Sequence, residues 1–328
     1  MRLHFVTGAN DAFFPTLLVL LQSFAEQIGG TLPYVCDYGL AMGQREFLRR
    51  RGLLLERPAA LGPPMGPLRE KAVVQEYFRH AGVDIAGADA VVWLDGDLTL
   101  VGCSRGDFEA VVAEMARRDI AVAASPQGTI ATMLEGFQRQ GSPTAPFERL
   151  LPEGTDTAKP YYSTGLFLCR SPSFLEHWSE MSRRAAEQPV LDQNAFNAVV
   201  LHGAQAVLPL DIDLWQAQGI TLDRVRTAPD RAPGRSAVLI DGQPIKILHA
   251  TSPTIRHLVI GPASFSTGDL ALEGAFKLLR PEPLLDLQLN LLSRFLTEHR
   301  MELLETGLCR LAAPTAGFAL RFTGTGSG

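Results

Sequence analysis

The stretch Val91-Val92-Trp93-Leu94-Asp95-Gly96-Asp97 decides the fold of this sequence. Its continuous apolar run predicts a strand that is buried on both faces, as a central strand of a parallel sheet is. Asp95 and Asp97 follow at the carboxyl end of that strand, which is the edge where open α/β sheets bind ligands. Side chains at positions i and i+2 of an extended segment point the same way, so the two carboxylates are expected to converge.

The paired carboxylates predict a divalent-metal site. Two like charges that converge repel each other unless a cation compensates them. Their hard oxygen atoms suit Mg²⁺ or Mn²⁺, and a substrate phosphate is expected to share the ion. Gly96 lets the backbone bend and removes a side chain from between the carboxylates. The alternative is a solvated turn, because Asp and Gly are ordinary turn residues; the apolar run before the pair weighs against it.

The residues before this strand predict the β-α-β-α-β opening of a parallel sheet with Rossmann-like topology. Leucines recur at helical spacing after Pro15, which a first helical turn tolerates, and Gly29-Gly30 ends that helix. Strands are expected at 3–7, 32–36 and 53–55, and helices at 15–28 and 44–51.

Helices and strands continue to alternate after the acidic pair. Ser104 is a good N-cap with Asp107 in the first turn, and Ser171-Pro172 starts another helix. Gly, Pro and Thr are frequent from 128 to 157, which predicts an irregular insertion. We therefore expect a mixed, mostly parallel α/β sheet flanked by helices, with helices at 68–80, 104–118, 171–188 and 192–203 and strands at 120–124, 162–169, 206–208 and 245–248.

The character of the sequence changes after Pro262. Leucines recur at helical spacing from 278 to 311 and predict one or two amphipathic helices. We expect one domain over residues 1–260, a helical extension over 261–328, and a disordered tail over 323–328. The helices could cap the domain, form a homodimer or lie on a membrane; their mixed charges favour packing on protein.

Composition excludes some classes of protein. The chain has 328 residues, of which 46% are hydrophobic, so it can bury a sizeable core and is not intrinsically disordered. A total of 30 Lys and Arg against 35 Asp and Glu gives a net charge of −5. An acidic protein has no general electrostatic attraction to nucleic acid, so no nucleic-acid partner is expected.

The cysteines and the hydropathy of the chain indicate a cellular compartment. Four cysteines stand far apart, at positions 36, 103, 169 and 309, with no C-x-x-C pair. This favours reduced thiols over a disulfide framework. The apolar stretch 13–25 is interrupted by Pro15 and Gln22 and is too short to span a bilayer. A cytoplasmic protein without a transmembrane segment is expected, with peripheral contact at the inner face of the membrane left open.

Two enzyme classes carry a D-x-D sequence of this kind: nucleotide-sugar glycosyltransferases and haloacid-dehalogenase-type phosphatases. Residues 95–99 fit the phosphatase pattern D-x-D-x-[TV], in which the first Asp is the nucleophile. In that class the motif follows the first strand, whereas here a complete β-α-β-α-β unit precedes it. The further Lys and acidic motif that a phosphatase needs have only Lys246 and Gly268-Asp269 as candidates. The position of the motif in the chain therefore favours a glycosyltransferase over a phosphatase.

The sequence resembles GT-A glycosyltransferases, most closely the retaining family 8 group, over roughly residues 3–256. Six segments match in the family's order: Val6-Thr7-Gly8-Ala9-Asn10 with Ser23; Lys71; Asp95-Gly96-Asp97; Tyr162-Ser163-Thr164-Gly165-Leu166-Phe167-Leu168; Leu191-Asp192-Gln193-Asn194-Ala195-Phe196-Asn197; and Ile247-Leu248-His249.

This resemblance implies transfer of a hexose from a nucleoside-diphosphate sugar, UDP-linked, to an acceptor hydroxyl with retention. The acceptor is left open among saccharide, lipid-linked and protein classes. Mn²⁺ or Mg²⁺ is expected on Asp95, Asp97 and His249, where it would act as a Lewis acid on the departing diphosphate. Asp192 and Gln193 are expected to orient the sugar. The donor is expected to contact Thr7, Gly8, Ala9, Asn10, Lys71, Gly96, Ser163, Thr164 and Gly165.

The sequence also departs from the family pattern. Ser163 stands where the family usually has Asn, and Asn10 stands where an acidic or small residue is common. The family shows G-x-x-K after the histidine, and here Arg256, one position out of register, is the candidate for the diphosphate-binding cation. A non-catalytic scaffold with the same fold is therefore kept as an alternative.

Trp215 is a candidate for the acceptor site.

For several of these residues, an ordinary structural role is the alternative to the role in binding or catalysis. His249 could be a core histidine, Asp192 a helix cap and Lys71 a solvated helix residue. Gly165 could simply relieve crowding in its strand. Trp93 and Trp178 are expected in the core.

Overall fold

The structure, a computed structural model, describes residues 1–62, 66–142, 144, 146–185, 191–203, 206–229, 236–251 and 255–322. The tail expected to be disordered, 323–328, lies outside the described residues. Within the described ranges, no helix has both the length and the apolar composition needed to cross a bilayer.

The strands follow the predicted alternation in the first two thirds of the chain. In chain order they are β1 Leu3–Ala9, β2 Tyr34–Asp37, β3 Leu54–Leu55, β4 Ala90–Leu94, β5 Leu98–Leu100, β6 Val122–Pro126, β7 Tyr162–Cys169, β8 Val207–Pro209, β9 Val225–Pro229, β10 Ser236–Ile240, β11 Gln243–Pro244, β12 Ile247–His249, β13 Leu258–Leu279 and β14 Cys309–Phe322.

The helices begin at the signals that the sequence carries. The helix Arg105–Arg117 is capped by Ser104, whose backbone N–H donates to Asp107 Oδ2 at 2.7 Å, as the N-cap pattern predicts. The helices are α1 Phe14–Gln27, α2 Met42–Arg50, α3 Pro67–Lys71, α4 Val74–His80, α5 Arg105–Arg117, α6 Met133–Gln140, α7 Pro172–Arg184, α8 Leu191–His202, α9 Ile212–Trp215, α10 Glu282–Glu298 and α11 Arg300–Glu305.

The main sheet has the strand order β3-β2-β1-β4-β7-β6-β8. The pairs β2–β3, β1–β2, β1–β4 and β6–β8 are parallel, whereas β7 runs antiparallel to both of its neighbours. The predicted fold class, a mixed and mostly parallel sheet flanked by helices, is confirmed.

Both faces of β4 are buried, as its apolar run predicts. Val92 and Leu94 belong to a cluster that includes residues of α1, α5 and α10. Val91 and Trp93 belong to a second cluster, formed with residues of α4, α7 and α8. Alternate side chains therefore enter two different cores, which holds the carboxyl end of β4 firmly at the edge of the sheet. Trp93 and Trp178 are core residues, as expected.

The C-terminal segment contains the predicted amphipathic helices and a β-ribbon that the sequence analysis did not predict. The long strand β13 pairs with β14 in an antiparallel ribbon, and α10 and α11 connect the two strands. Leu292 and Phe295 of α10 are buried in the same cluster as α1, so the apolar face of this helix packs on its own chain. The extension is thus not purely helical. The expected boundary at residue 260 falls within β13 and stays a prediction.

Two local expectations differ from the structure. The segment 128–157 contains the helix α6, whose N-cap Thr132 accepts a hydrogen bond from Glu135 N–H through Oγ1 at 3.2 Å. The pattern Thr-x-x-Glu was the available signal. The single helix expected over 68–80 is divided into α3 and α4.

Candidate functional site

The two carboxylates and His249 meet because a short antiparallel pair lies next to the end of β4. In the β5–β12 pairing, His249 is opposite Leu98, the residue that follows Asp97. The backbone N–H of Asp95 donates to Gly165 O at 2.8 Å, and Ala250 N–H donates to Asp97 O at 3.0 Å. Two separate strands therefore fix the backbone on either side of the D-x-D turn.

Asp95, Asp97 and His249 form a compact group in which one ligand atom from each lies within 4.8 Å of the others. His249 Nε2 lies 3.2 Å from Asp97 Oδ1 and 3.8 Å from Asp95 Oδ2. The imidazole is buried and its Nδ1 has no hydrogen-bond partner among the described residues. Two carboxylates and one imidazole are ligands that Mn²⁺ and Mg²⁺ accept, so the donor set fits the predicted metal.

Lys71 lies directly beneath this group. Its Nζ is 2.8 Å from Asp95 Oδ1 and 3.0 Å from Asp192 Oδ2, and it donates to the backbone and hydroxyl oxygens of Thr164 at 3.2 and 3.3 Å. Burial alone would lower the pKa of Lys71, but the carboxylates of Asp192 and Asp95 outweigh it and raise that pKa above its ordinary value. Lys71 is a buried cation, so the alternative of a solvated helix residue is excluded.

A second cation at the site, Lys277, was missed by the sequence analysis. It lies on β13, and its Nζ is 2.6 Å from Asp97 Oδ2. Burial raises the pKa of Asp97, but His249 and Lys277 outweigh it and hold that pKa far below its ordinary value. Asp97 is therefore an anion. No local signal marked Lys277, because it is 180 residues from Asp97 in the chain and lies in a segment expected to be helical.

A cavity of about 340 Å³ lies over these charges. This volume is at the lower end of the range for small-molecule sites. Besides the charged groups, its wall is largely apolar, and the ring of Phe13 is 38% exposed. The lining residues are Gly8, Ala9, Asn10, Phe13, Thr16, Leu17, Tyr38, Pro67, Leu68, Lys71, Trp93, Asp95, Gly96, Asp97, Ile260 and Lys277.

The turn after β1 reaches this cavity, as expected. Gly8, Ala9 and Asn10 line it, and Asn10 Oδ1 accepts a hydrogen bond from Phe13 N–H at 3.2 Å, which shapes the start of α1. Thr7 is fully buried and does not line the cavity. Tyr38, another lining residue that the sequence analysis missed, has a buried hydroxyl without a hydrogen-bond partner among the described residues.

The predicted residues of β7 lie beneath the cavity rather than in its wall. Ser163 Oγ donates to Gln216 Oε1 at 3.1 Å, and Thr164 Oγ1 donates to Asp192 Oδ2 at 2.8 Å. Gly165 lies against the His249 ring. These side chains hold the residues that carry the charges.

Asp192 and Gln193 at the start of α8 are buried and do not line the cavity. Asp192 Oδ2 is bound by Lys71, whereas its Oδ1 is buried without a hydrogen-bond partner among the described residues. Gln193 Oε1 accepts from Thr164 N–H at 3.3 Å, and its Nε2 donates to Gln140 Oε1 at 3.0 Å. Their predicted role toward the sugar stays a prediction.

The remaining candidates lie elsewhere. The Arg256 side chain is 61% exposed and pairs with Asp223 at 2.7 Å. Trp215 is buried and packs edge-on against Phe108, with a ring-centroid distance of 5.4 Å. Neither residue lines the cavity.

The two residues considered for the additional groups of a phosphatase, Lys246 and Asp269, pair with residues other than Asp95. Lys246 pairs with Asp107, and Asp269 pairs with Arg300. Neither Lys246 nor Asp269 lines the cavity.

Gly165 is required by the close approach of two side chains. An added Cβ would lie 2.5 Å from His249 Cε1 and 2.6 Å from Gln216 Oε1. Because both side chains are buried, we expect Gly165→Ala to lower the free energy of unfolding by about 1–3 kcal/mol, measured by urea denaturation. Gly128→Ala is the control, since its added Cβ would meet its nearest neighbours at 3.8 Å. Equal stabilities of the two variants would contradict the assigned packing.

Comparison with known proteins gives matches to solved structures alone. No protein-family model matches the chain, and no curated protein matches its sequence. The solved structures that resemble it include a bifunctional glycosyltransferase, WbbM, in its apo form, with 13% identity and a TM-score of 0.44; the match covers 66% of this chain and 39% of that one. The present chain thus spans well under half of WbbM.

Two further structures match most of their own length. The galactosyltransferase LgtC, in complex with donor and acceptor sugar analogues, shows 16% identity and a TM-score of 0.43, over 75% of this chain and 86% of that one. Mouse xyloside xylosyltransferase 1, in its apo form, shows 14% identity and a TM-score of 0.40, over 76% of this chain and 97% of that one.

Proposed function

We propose that this protein transfers a hexose from a nucleoside-diphosphate sugar, UDP-linked, to an acceptor hydroxyl with retention of configuration. One observation carries the proposal: Asp95, Asp97 and His249 converge beside Lys71 and Lys277, and the two carboxylates and the two lysines line one cavity. A metal–diphosphate pair needs this combination of acidic ligands and nearby cations. Saccharides, lipid-linked saccharides and proteins all carry a hydroxyl that could accept the sugar.

The nucleotide would lie over the turn formed by Gly8, Ala9 and Asn10. Small side chains there let a ligand approach the backbone closely. The exposed face of Phe13 offers a surface on which a base can stack. The apolar wall of the cavity suits the base better than it suits the charged phosphates.

The diphosphate would lie at the charged end of the cavity. Mn²⁺ or Mg²⁺ bound by Asp95, Asp97 and His249 would act as a Lewis acid and stabilise the charge on the leaving diphosphate. Lys71 holds Asp95 in place from below, with Nζ 2.8 Å from Asp95 Oδ1. Lys277 supplies a positive charge at the cavity wall. Asp192 and Gln193 are proposed to orient the sugar, whose transition state has oxocarbenium character.

The proposal is tested by titrating UDP into the purified protein in a calorimeter, first with Mn²⁺ and then with a chelator. We expect binding with Mn²⁺ and at least a several-fold loss of affinity with the chelator. Release of UDP from a panel of UDP-hexoses then identifies the donor sugar. If neither UDP nor any other nucleoside diphosphate binds in either condition, the proposed transferase activity is contradicted. A phosphatase or a non-catalytic scaffold is then favoured.

The location of the reaction is part of the proposal. We place it in the cytoplasm and leave open whether the protein also contacts the inner face of the membrane. Fractionation of cells that express the tagged protein, with a salt wash of the membrane fraction, measures the share in each compartment. Protein found only outside the cytoplasm would contradict this placement.

A further inference from the structure

The two lysines at the site are held very differently. Lys71 Nζ contacts Asp95, Asp192 and two oxygens of Thr164, and it is buried. Among the described residues, the hydrogen bond found for Lys277 Nζ is the one to Asp97, and the Lys277 side chain is 27% exposed. Lys71 is therefore a fixed part of the site, whereas Lys277 can change its partner.

The backbone beneath Lys277 is anchored, so its side chain alone is free to move. The Lys277 N–H donates to Thr16 Oγ1 at 2.9 Å, and both Phe276 and Leu278 are buried in the core. The side chain of Lys277 thus extends from a fixed point on the cavity wall. Its four-carbon chain gives it a reach of several ångströms without any movement of β13.

The partner that Lys277 now holds is also a predicted metal ligand. A divalent cation on Asp97 would face a unit positive charge 2.6 Å from the same carboxylate. Two cations on one carboxylate repel each other, so the ion and Lys277 compete for Asp97. A bound diphosphate changes this balance, because it offers Lys277 a strong anionic partner a short distance away.

We propose that Lys277 is an exchangeable cation that couples the binding of metal and donor: it occupies Asp97 in the free protein and transfers to the donor diphosphate when the metal takes Asp97. This inference rests on the proposed function. It makes Lys277 a donor-binding residue supplied by the ribbon of β13 and β14. Metal and nucleotide then bind with positive cooperativity, and by linkage each raises the affinity for the other by the same factor.

The test measures Mn²⁺ binding by electron paramagnetic resonance, in which the signal of the free ion is lost when the protein binds it. The titration is done without UDP and with saturating UDP. The concentration of free Mn²⁺ is corrected for the Mn²⁺ that UDP binds in solution. For the wild-type protein we expect UDP to raise the Mn²⁺ affinity by about 5- to 150-fold. In Lys277→Met, Mn²⁺ alone should bind more tightly than in the wild type, and the enhancement by UDP should shrink to a fewfold. Lys277→Arg, which keeps the charge, should retain most of the coupling.

Arg310→Met is the matched control. It removes one positive charge from the same ribbon, where Arg310 pairs with Glu273 at 2.8 Å and both side chains are more than 60% exposed. Its Mn²⁺ affinity and its UDP enhancement should equal those of the wild type. Thermal unfolding of all variants checks that they are folded.

Different results separate the failure of this inference from the failure of the proposed function. If Lys277→Met binds Mn²⁺ alone no more tightly than the wild type, or keeps the full enhancement by UDP, the exchange is overturned while the donor site stands. A wild-type protein that binds UDP equally with and without Mn²⁺ also overturns the coupling. If the wild type binds no UDP in either condition, the proposed function itself has failed, and this inference fails with it.

Discussion

Asp95→Asn is expected to reduce turnover of the UDP-sugar by about a thousandfold. The substitution keeps the shape of the side chain but removes one of the two carboxylates proposed to hold the metal. Metal assistance contributes several kcal/mol to such reactions, and a loss of about 4 kcal/mol corresponds to this factor. The rate of UDP release at saturating donor is the measurement.

The folded structure should survive this change. Lys71 keeps its contact with Asp192, and the amide oxygen of Asn can still accept from Trp93 Nε1, which donates to Asp95 Oδ1 at 2.7 Å. Asp286→Asn, at an exposed position of α10, is the control and should show wild-type turnover. Unchanged metal-dependent turnover in Asp95→Asn would remove the basis of the assignment.

Lys71→Met is expected to lower the free energy of unfolding by about 3–5 kcal/mol, the largest stability effect that we predict. The buried ammonium group lies between Asp95 and Asp192, and its removal leaves the buried carboxylate of Asp192, which is 2% exposed, without its counter-ion. Breaking a buried ion pair from one side costs this much because an uncompensated charge remains. Chemical denaturation measures the loss.

A second substitution distinguishes charge from packing. Adding Asp192→Asn to Lys71→Met removes one of the uncompensated charges, so part of the lost stability should return. Lys246→Met is the control, because Lys246 and Asp107 are both about a quarter exposed and such pairs contribute at most about 1 kcal/mol. A loss in Lys71→Met no larger than in this control would show that Lys71 is not the buried counter-ion of the site.

Much of the fold could be predicted from local patterns. The apolar run of β4 has its side chains in two cores, as its lack of alternation indicates. The cap at Ser104 and the Pro at the start of α1 mark real helix ends. The α6 helix was missed because its turn-forming composition outweighed one capping pattern. The ribbon β13–β14 was missed because its pairing joins segments on either side of two helices.

The residues of the site also fall into those that local sequence patterns predict and those that they do not. Asp95 and Asp97 are two positions apart and follow a buried strand, and their convergence is a local consequence of the turn in which Leu98 N–H donates to Asp95 O at 3.1 Å. His249 could be named only through the resemblance to known glycosyltransferases, and the antiparallel pairing with β5 is what brings it to Asp97. Lys277 and Tyr38 had no sequence signal at all.

The sequence by itself determined the alternation of strands and helices, the buried central strand and the acidic pair at its end, because each depends on residues within a few positions of one another. Only the tertiary structure decided which cations meet those acids. Lys71 lies buried beneath Asp95 and Lys277 faces Asp97, whereas Arg256 lies on the surface with Asp223. Charge partners are set by the packing of distant segments, and the spacing along a chain carries no record of that packing.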